Sequence, residues 1–488
     1  MDLDHDACYR AILTRDARFD GRLFFGVRTT GIYCRPVCPV RTPRRENVQF
    51  YVSAAAAQEA GFRPCLRCRP ETAPEFAAWR GTSNTVSRAL ALIECGALDE
   101  ADVDTIAARL GVGARQLRRL FRQHLGASPI AVAQTQRVLL ARQLIHETQL
   151  PMTEVAMASG FGSVRRFNET FQRLFGRAPG ALRCAQGQAV AGGAVAVSLS
   201  YRPPYDWPAI LSFLRLRAIP GVESVSAHSY ARTIALHGVC GMVVVEQGNG
   251  HTLRASISCA QLSLLPTIIS RMRRLFDVAA DPHAIAAHLS EDPALARLVA
   301  ARPGLRVPGA WDGFELAVRA VLGQQITVST ATRLAGKLVA HYGTPVTDAA
   351  ACAAGLTHIF PPPERLAHTD LATLGMPRAR AAALSARAAA TIADPLIFGP
   401  RRSLAEAIGT LRALPGVGAW TAQYIAMRAL REPDAFPAAD VGVRRALAGA
   451  NVRRPTPAEL LARAQRWRPW RAYAALHLWT SLEKGGGG

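Results

Sequence analysis

Four cysteines carry the clearest chemistry in the chain. They stand as two close pairs, Cys34-x3-Cys38 and, after 26 intervening residues, Cys65-x2-Cys68. Paired thiolates on separate loops offer tetrahedral sulfur coordination, the geometry that suits zinc, so Cys34, Cys38, Cys65 and Cys68 are the expected ligands of one Zn2+ ion. Spacing alone points first to a structural clamp with no chemistry of its own. The other six cysteines, Cys8, Cys95, Cys184, Cys240, Cys259 and Cys352, are scattered singly. They read as small buried hydrophobes rather than a disulfide framework.

A second concentration of chemistry lies towards the far end. Leu414-Pro415-Gly416-Val417-Gly418-Ala419-Trp420-Thr421-Ala422 reads as the core of a helix-hairpin-helix. Gly416 and Gly418 are suited to it because backbone N–H groups must approach a phosphate closely at a helix N-terminus. Alone, the hairpin fits many DNA-binding proteins that catalyse nothing. Asp440 follows Gly418 by 22 residues, behind Phe436-Pro437-Ala438-Ala439.

These groups need elements to position them. Residues 1–80 are rich in turn residues, with short extended pieces at Leu23–Val27 and Val48–Val52. A segment so short of core gains most from a structural metal. From Thr85 to Arg183 apolar residues recur at helical spacing. Val103–Val112 and Ala114–His124 read as a helix-turn-helix with Arg115, Arg118, Arg119 and Arg122 on its second helix. Met152–Gly160 and Ser163–Phe175 repeat the scheme, with Arg165 and Arg166 opening the second helix, and a long helix, Pro129–His146, joins the two. The small, featureless run 185–194 is the clearest linker. Beyond it, strand-like runs at Thr233–Leu236, Met242–Glu246 and Thr252–Ile257, with helices starting near Trp207 and Leu262, indicate an α+β segment. Ala284–Leu482 reads as helical.

At 488 residues the chain is long enough for several domains, and 49% hydrophobic with 19% charged residues is a globular balance. No apolar stretch approaches the roughly 20 residues of a membrane span, and the first residues show no leader pattern. A soluble, cytoplasmic, nucleoid-associated bacterial protein with no membrane partner is therefore expected. Net charge is +22, carried almost wholly by arginine, since Lys337 and Lys484 are the only lysines. Arginine forks pair with phosphate, so a polyanionic partner follows. A GC-rich genome that writes arginine by default is the plain alternative.

The words around the cysteines go further. Arg28-Thr29-Thr30-Gly31-Ile32-Tyr33-Cys34-Arg35-Pro36-Val37-Cys38, Arg44-Arg45-Glu46-Asn47-Val48 and Ala60-Gly61-Phe62-Arg63-Pro64-Cys65-Leu66-Arg67-Cys68 closely resemble the N-terminal domain of the Ada adaptive-response proteins. The resemblance implies that Cys34 accepts a methyl group from a DNA methylphosphotriester while the other three cysteines hold the metal. Transfer removes one negative charge from the zinc–sulfur centre, which lessens repulsion from phosphates. The tandem helix-turn-helix, with Phe161-Gly162 and Gly176-x-x-Pro179, resembles the AraC-type DNA-binding domain that follows the zinc domain in Ada proteins.

Over roughly residues 197–483 the chain resembles the AlkA-type 3-methyladenine DNA glycosylases. The match is carried by the hairpin, Asp440, Tyr205-Asp206-Trp207, Arg274-Leu275-Phe276-Asp277, Leu322-Gly323-Gln324 and Arg466-Trp467-Arg468-Pro469-Trp470-Arg471. It implies a catalytic Asp440, a base pocket of Phe213, Trp420, Tyr424 and Trp479, and DNA contacts from Gln324, Gln325, Gly416 and Gly418. Electron-rich rings attract a cationic alkylated base. Trp420 stands where bifunctional relatives keep a Schiff-base lysine, so a monofunctional hydrolase is expected. Gln325 replaces an apolar wedge and Val441 an aromatic residue, which leaves the preferred base open. No Pro-Cys-His-Arg motif occurs, so a methylguanine methyltransferase is not expected.

The expected architecture is multidomain. It comprises a small α+β zinc domain (1–80), an all-α AraC-type double helix-turn-helix (85–184), a linker (185–196), a small β-rich α+β subdomain (197–300) and an all-α helix-hairpin-helix domain (301–484). The expected protein is a monomeric repair enzyme and transcription activator that acts on double-stranded DNA, both alkylated and promoter, and meets RNA polymerase. The rival is a transcription regulator whose zinc and glycosylase-like parts only bind DNA.

Overall fold

The computed structural model describes residues 4–74, 84–94, 96–183, 194–399, 401, 403–448 and 453–483. The chain divides into two compact units, Met1–Arg202 with Gly248–Ser270, and Pro203–Gln247 with Arg271–Gly488.

The first unit opens with a helix, His5–Leu13, whose N-terminus is capped by the Asp4 carboxylate. A four-stranded sheet follows in the order Val48–Tyr51, Phe24–Val27, Ile32–Cys34, Arg63–Pro64. Its last strand lies parallel to Ile32–Cys34 with Tyr33 opposite Pro64. That pairing delivers Cys65 beside Cys34, and the Cys65 amide donates to the Tyr33 carbonyl at 3.0 Å.

The helical part holds two helix-turn-helix units, Val103–Arg109 with Ala114–Leu125 and Met152–Ala158 with Val164–Phe175, joined by Pro129–Glu147. Each second helix buries one face, Leu117, Phe121 and Leu125 in the first and Phe167, Phe171 and Phe175 in the second. Fully burying one such side chain is worth about 1.5–3 kcal/mol, so these faces are fixed inward and the arginines between them point to solvent. Strands Val195–Ser200 and Thr252–Cys259 pair antiparallel in the same unit.

The second unit has a meander, Glu223–Val225, Ser229–Leu236 and Val239–Gln247, beside the helix Trp207–Arg215, capped by Asp206. Its helical part includes Gly313–Leu322, Val328–Tyr342, Arg378–Ala393, Leu404–Arg412, Ala419–Arg428, Val441–Ala448 and Arg471–Glu483. Its core includes Val318, Val321, Leu338, Leu366 and Leu384. A buried ion cluster ties Arg232 to Glu315 at 2.7 Å and Arg319 to Glu315 at 2.6 Å.

Several expectations need amending. A small ladder, Thr344–Pro345 with His358–Ile359, interrupts the stretch read as helical. The helix expected near Leu262 begins as a 3-10 turn, Leu262–Leu264, before Leu265–Leu275. Cys240 and Cys352 are exposed and Cys259 is half-buried, against the expectation of burial: Cys240 lies on an outward position of the strand Val239–Gln247 and Cys352 on an outward position of the short helix Ala349–Ala353, whereas Cys8 is buried. Cys95, Cys184 and most of the expected linker lie outside the described residues, and the strand after it begins at Val195. Among the described residues no helix is long and apolar enough to cross a membrane.

Candidate functional site

Two sheet strands and two loops bring the four cysteine sulfurs to within 4.8 Å of one another, all buried. Cys34 ends the strand Ile32–Cys34, and Cys65 follows the strand laid alongside it. Arg35 pins the loops. Its amide donates to Cys68 Sγ at 3.4 Å, and its guanidinium donates to Asp20 Oδ1 at 2.7 Å, the Cys68 carbonyl at 3.1 Å and Thr72 Oγ1 at 2.6 Å. Left to themselves the four sulfurs share protons: contact with Cys38, Cys65 and Cys68 pushes the Cys34 thiol up, while contact with Cys34, Cys38 and Cys68 holds Cys65 down. A buried quartet of such donors fits a zinc ion, whose tetrahedral site four sulfurs complete without a further ligand, leaving the centre net negative.

Beneath this centre lies a buried polar cluster. The Glu71 carboxylate and the Arg142 guanidinium stand 3.0 Å apart, each side chain 1% exposed. Arg142 also donates to the carbonyl of Cys65 at 3.3 Å. Arg69 approaches Glu71 at 3.1 Å and Glu147 at 3.5 Å. Burial pushes the Tyr33 hydroxyl up despite the nearby Arg142, so it stays protonated. Arg142 and Glu147 belong to the long helix Pro129–Glu147, so the metal loop and the helix-turn-helix frame share one set of buried charges. The sequence reading missed this cluster, since its members are far apart in the chain.

All six arginines singled out on the second helices are exposed. Three have protein partners: Arg122 meets Glu59 at 2.7 Å, Arg118 lies 3.5 Å from Asp104, and Arg165 pairs with Glu169 at 2.8 Å. Arg122 thereby reaches the zinc module while its side chain stays 59% exposed.

In the second unit Phe213, Trp420, Tyr424, Trp479 and Asp440 line one cavity of about 420 Å³. Trp420 and Tyr424 share a helix at four-residue spacing and stack at 5.1 Å with planes 9° apart. Asp440 stands immediately before the helix Val441–Ala448, where its Oδ1 accepts the Val443 amide at 2.9 Å. The Trp479 indole donates to the same oxygen at 2.9 Å and the Trp420 indole to Oδ2 at 2.7 Å. The carboxylate is thus locked by three N–H donors in the cavity wall. Gly442 permits this: a Cβ there would stand 3.1 Å from Asp440 Oδ1 and 3.3 Å from Trp479 Cδ1.

Two further arginines shape the pocket. Arg217 lies over the Phe213 ring at 3.8 Å and Arg428 at 4.8 Å. The ring read as an open face for a cationic base is therefore already engaged by guanidinium groups. Arg428 donates to the Tyr424 hydroxyl at 2.7 Å. Burial opposes ionisation of Tyr424, but Arg428 and Arg217 outweigh it and hold the phenol below its usual range. Arg319 donates to the Arg217 carbonyl at 2.7 Å. Arg217 and Arg428 each follow a pocket aromatic by four residues, a spacing that could have flagged them; nothing flagged Gly442.

On the hairpin, Gly416 has φ +71°, and Gly418 precedes the helix Ala419–Arg428 with no side-chain cap. Gln324 donates to the Gly416 carbonyl at 2.9 Å and to Thr421 at 3.1 Å. Gln325 is exposed in left-handed backbone at φ +60°, an unusual conformation for a residue with a Cβ.

Four family models match the chain: the metal-binding domain of Ada at residues 7–71, a helix-turn-helix domain at 106–185, the AlkA N-terminal domain at 196–312 and the HhH-GPD superfamily of base excision DNA repair proteins at 318–472. A probable bifunctional transcriptional activator/DNA repair enzyme AlkA of Mycobacterium tuberculosis is 43% identical over 486 residues, covering 98% of this chain and 97% of its own. The chain belongs to the bifunctional transcriptional activator/DNA repair enzyme AlkA family. DNA-3-methyladenine glycosylase 2 of Escherichia coli is 37% identical across 58% of this chain and 96% of its own. The bifunctional transcriptional activator/DNA repair enzyme Ada of the same organism is 36% identical across 32% of this chain and 43% of its own. The solved 3-methyladenine DNA glycosylase of Archaeoglobus fulgidus, 21% identical, shares the fold with a TM-score of 0.53 over 60% of this AlkA-family chain and 99% of that one.

Proposed function

We propose that this AlkA-family chain joins two DNA alkylation repair chemistries to a DNA-reading module that activates transcription. The reading rests on one observation: Cys34 in a buried sulfur quartet and Asp440 in an aromatic cavity each sit in a built site.

At the first site Cys34 Sγ attacks the methyl carbon of a methylphosphotriester in line. The S–C bond forms as the C–O bond breaks, and the electron pair stays on the phosphodiester oxygen. Zinc, when bound by Cys34, Cys38, Cys65 and Cys68, keeps the attacking sulfur deprotonated at neutral pH. A thioether is a poor leaving group, so each chain reacts once.

At the second site an alkylated base such as 3-methyladenine, extruded from the duplex, enters between Trp420, Tyr424 and Trp479. The N-glycosidic bond breaks with its electrons leaving on the base, and the fixed charge of Asp440 supports the oxocarbenium-like sugar until water adds. The reaction is a hydrolysis without lyase chemistry, because Trp420 opens the helix where a Schiff-base lysine would stand. Gly416, Gly418, Gln324 and Gln325 grip the damaged duplex. Arg115, Arg119 and Arg166, with Arg118 and Arg165, face promoter DNA; Arg122 is held by Glu59. The chain works as a monomer on nucleoid DNA and meets RNA polymerase there.

Release of 3-methyladenine from alkylated DNA tests this reading against a regulator that only binds. Asp440→Asn is expected to lower release by at least about a hundredfold while leaving methyl transfer to Cys34 intact, and Cys34→Ala to do the reverse. Wild-type inactivity in both assays would favour the regulator.

A further inference from the structure

The hairpin of the glycosylase unit rests on one face of the helix Arg378–Ala393, presented by Arg380, Ala383 and Arg387. Arg380 donates to the Gln324 carbonyl at 2.7 Å, and the Gln324 amide in turn donates to the carbonyl of Gly416. A Cβ built on Gly416 would stand 3.1 Å from Ala383 Cβ and 3.7 Å from Arg387 Nη2. Arg387 is 0% exposed. Among the described residues its guanidinium makes one hydrogen bond, from Nη1 to the Ala383 carbonyl of its own helix at 2.9 Å, while Nε and Nη2 find no partner. No carboxylate pairs with it among the described residues. Burial alone acts on its pKa, pushing it down to about 10, which leaves it charged at neutral pH. An isolated buried charge is among the most unfavourable groups a core can hold, so a fold that keeps one beside a phosphate-binding turn has a use for it.

We propose that Arg387 is a stored cation for DNA binding: buried beneath Gly416, it strengthens the positive field that the hairpin N–H groups turn towards a backbone phosphate. This rests on the reading of Gly416 and Gly418 as a phosphate-gripping hairpin. Arg387 touches no phosphate. It is a positioning residue whose charge acts through the hairpin backbone, shielded by protein instead of salt water. The counter-charge missing from the free protein is supplied by the nucleic acid.

The signs of two effects then oppose each other. In the full chain, Arg387→Met removes the charge and keeps most of the volume. Affinity for a duplex carrying an abasic-site analogue is expected to fall about tenfold, with KM for base release rising and kcat unchanged. The unfolding transition of the glycosylase unit should stay in place or rise. Tryptophan fluorescence reports it, since every tryptophan except Trp79 belongs to that unit. Arg387→Lys should recover most of the affinity. A packing role would lower the transition and would move kcat with KM, and that pattern overturns the proposal.

Gly418→Ala separates this from the hairpin reading, because a Cβ there meets nothing within 4 Å in the protein and stands in the way of a phosphate at the hairpin. If Gly418→Ala weakens binding and Arg387→Met does not, the stored cation is refuted and the hairpin stands. If neither weakens it, the hairpin reading fails, and the proposal fails with it.

Discussion

The Arg142–Glu71 pair makes a quantitative prediction about how the metal centre is held. Two unit charges about 4 Å apart attract by about 4 kcal/mol at an effective dielectric near 20. Both side chains of the pair are 1% exposed, so solvent screening is slight. Glu71→Ala leaves Arg142 buried with no carboxylate against it among the described residues, facing the Cys65 carbonyl and the Phe175 ring, and breaking such a pair from one side costs about 3–5 kcal/mol. At about 2–4 °C per kcal/mol for a unit of this size, the transition of the first unit should fall by about 6–20 °C. Arg142→Met should cost less, because Glu71 keeps Arg69 at 3.1 Å. The double variant Glu71→Met/Arg142→Met, with neither charge left to bury, should recover most of the loss. Thermal unfolding of the full chain measures this, with the first unit's transition identified by its response to a zinc chelator. A Glu71→Ala shift under about 2 °C, or a double variant no better than the single, would refute the reasoning.

Other consequences are as direct. Gly442→Ala sets a methyl 3.1 Å from Asp440 Oδ1 and 3.3 Å from Trp479 Cδ1; the small shift that relieves these contacts should lower base release, but by less than the roughly hundredfold cost of a misplacement near 1 Å, with methyl transfer unchanged. Burial works against the Asp292 carboxylate, but hydrogen bonds from Arg463, Trp467 and the Ala294 amide hold its pKa at about 2. A depressed folded pKa gives stability that is present above the ordinary carboxylate pKa near 4 and lost as pH falls towards 2. The stability gap between wild type and Asp292→Asn in acid titrations should therefore close over that window. A chelator strong enough to strip zinc should make residues 1–80 susceptible to protease while base release persists.

The cysteine quartet was legible because ligand spacing is a local property of the chain. What joins its two halves was not: the parallel contact of Tyr33 with Pro64 spans a long stretch and leaves no periodic trace. The helix-turn-helix pairs were legible from helical periodicity and from their turn glycines. The diversion of Arg122 to Glu59 was not, since an exposed arginine looks the same whether its partner is phosphate or carboxylate. Asp440 and its aromatic neighbours came through a motif that fixes type and order. Arg217 and Arg428 left a trace, each standing four residues after a pocket aromatic, but Gly442 matters only through packing around Asp440, which a single sequence does not encode in any pattern. The Thr344–Pro345 ladder was invisible for a simpler reason: two-residue strands are too short to show alternation.

The central claim is that one chain performs both repairs. Its most direct test incubates the intact protein with DNA carrying radiolabelled methyl groups and follows protein-bound label and freed 3-methyladenine in the same samples. The account predicts that protein-bound label rises to one methyl per chain on Cys34 and stops, while base release continues through many turnovers. Label that still binds a Cys34→Ala chain, or a wild-type chain that frees no base, would contradict it.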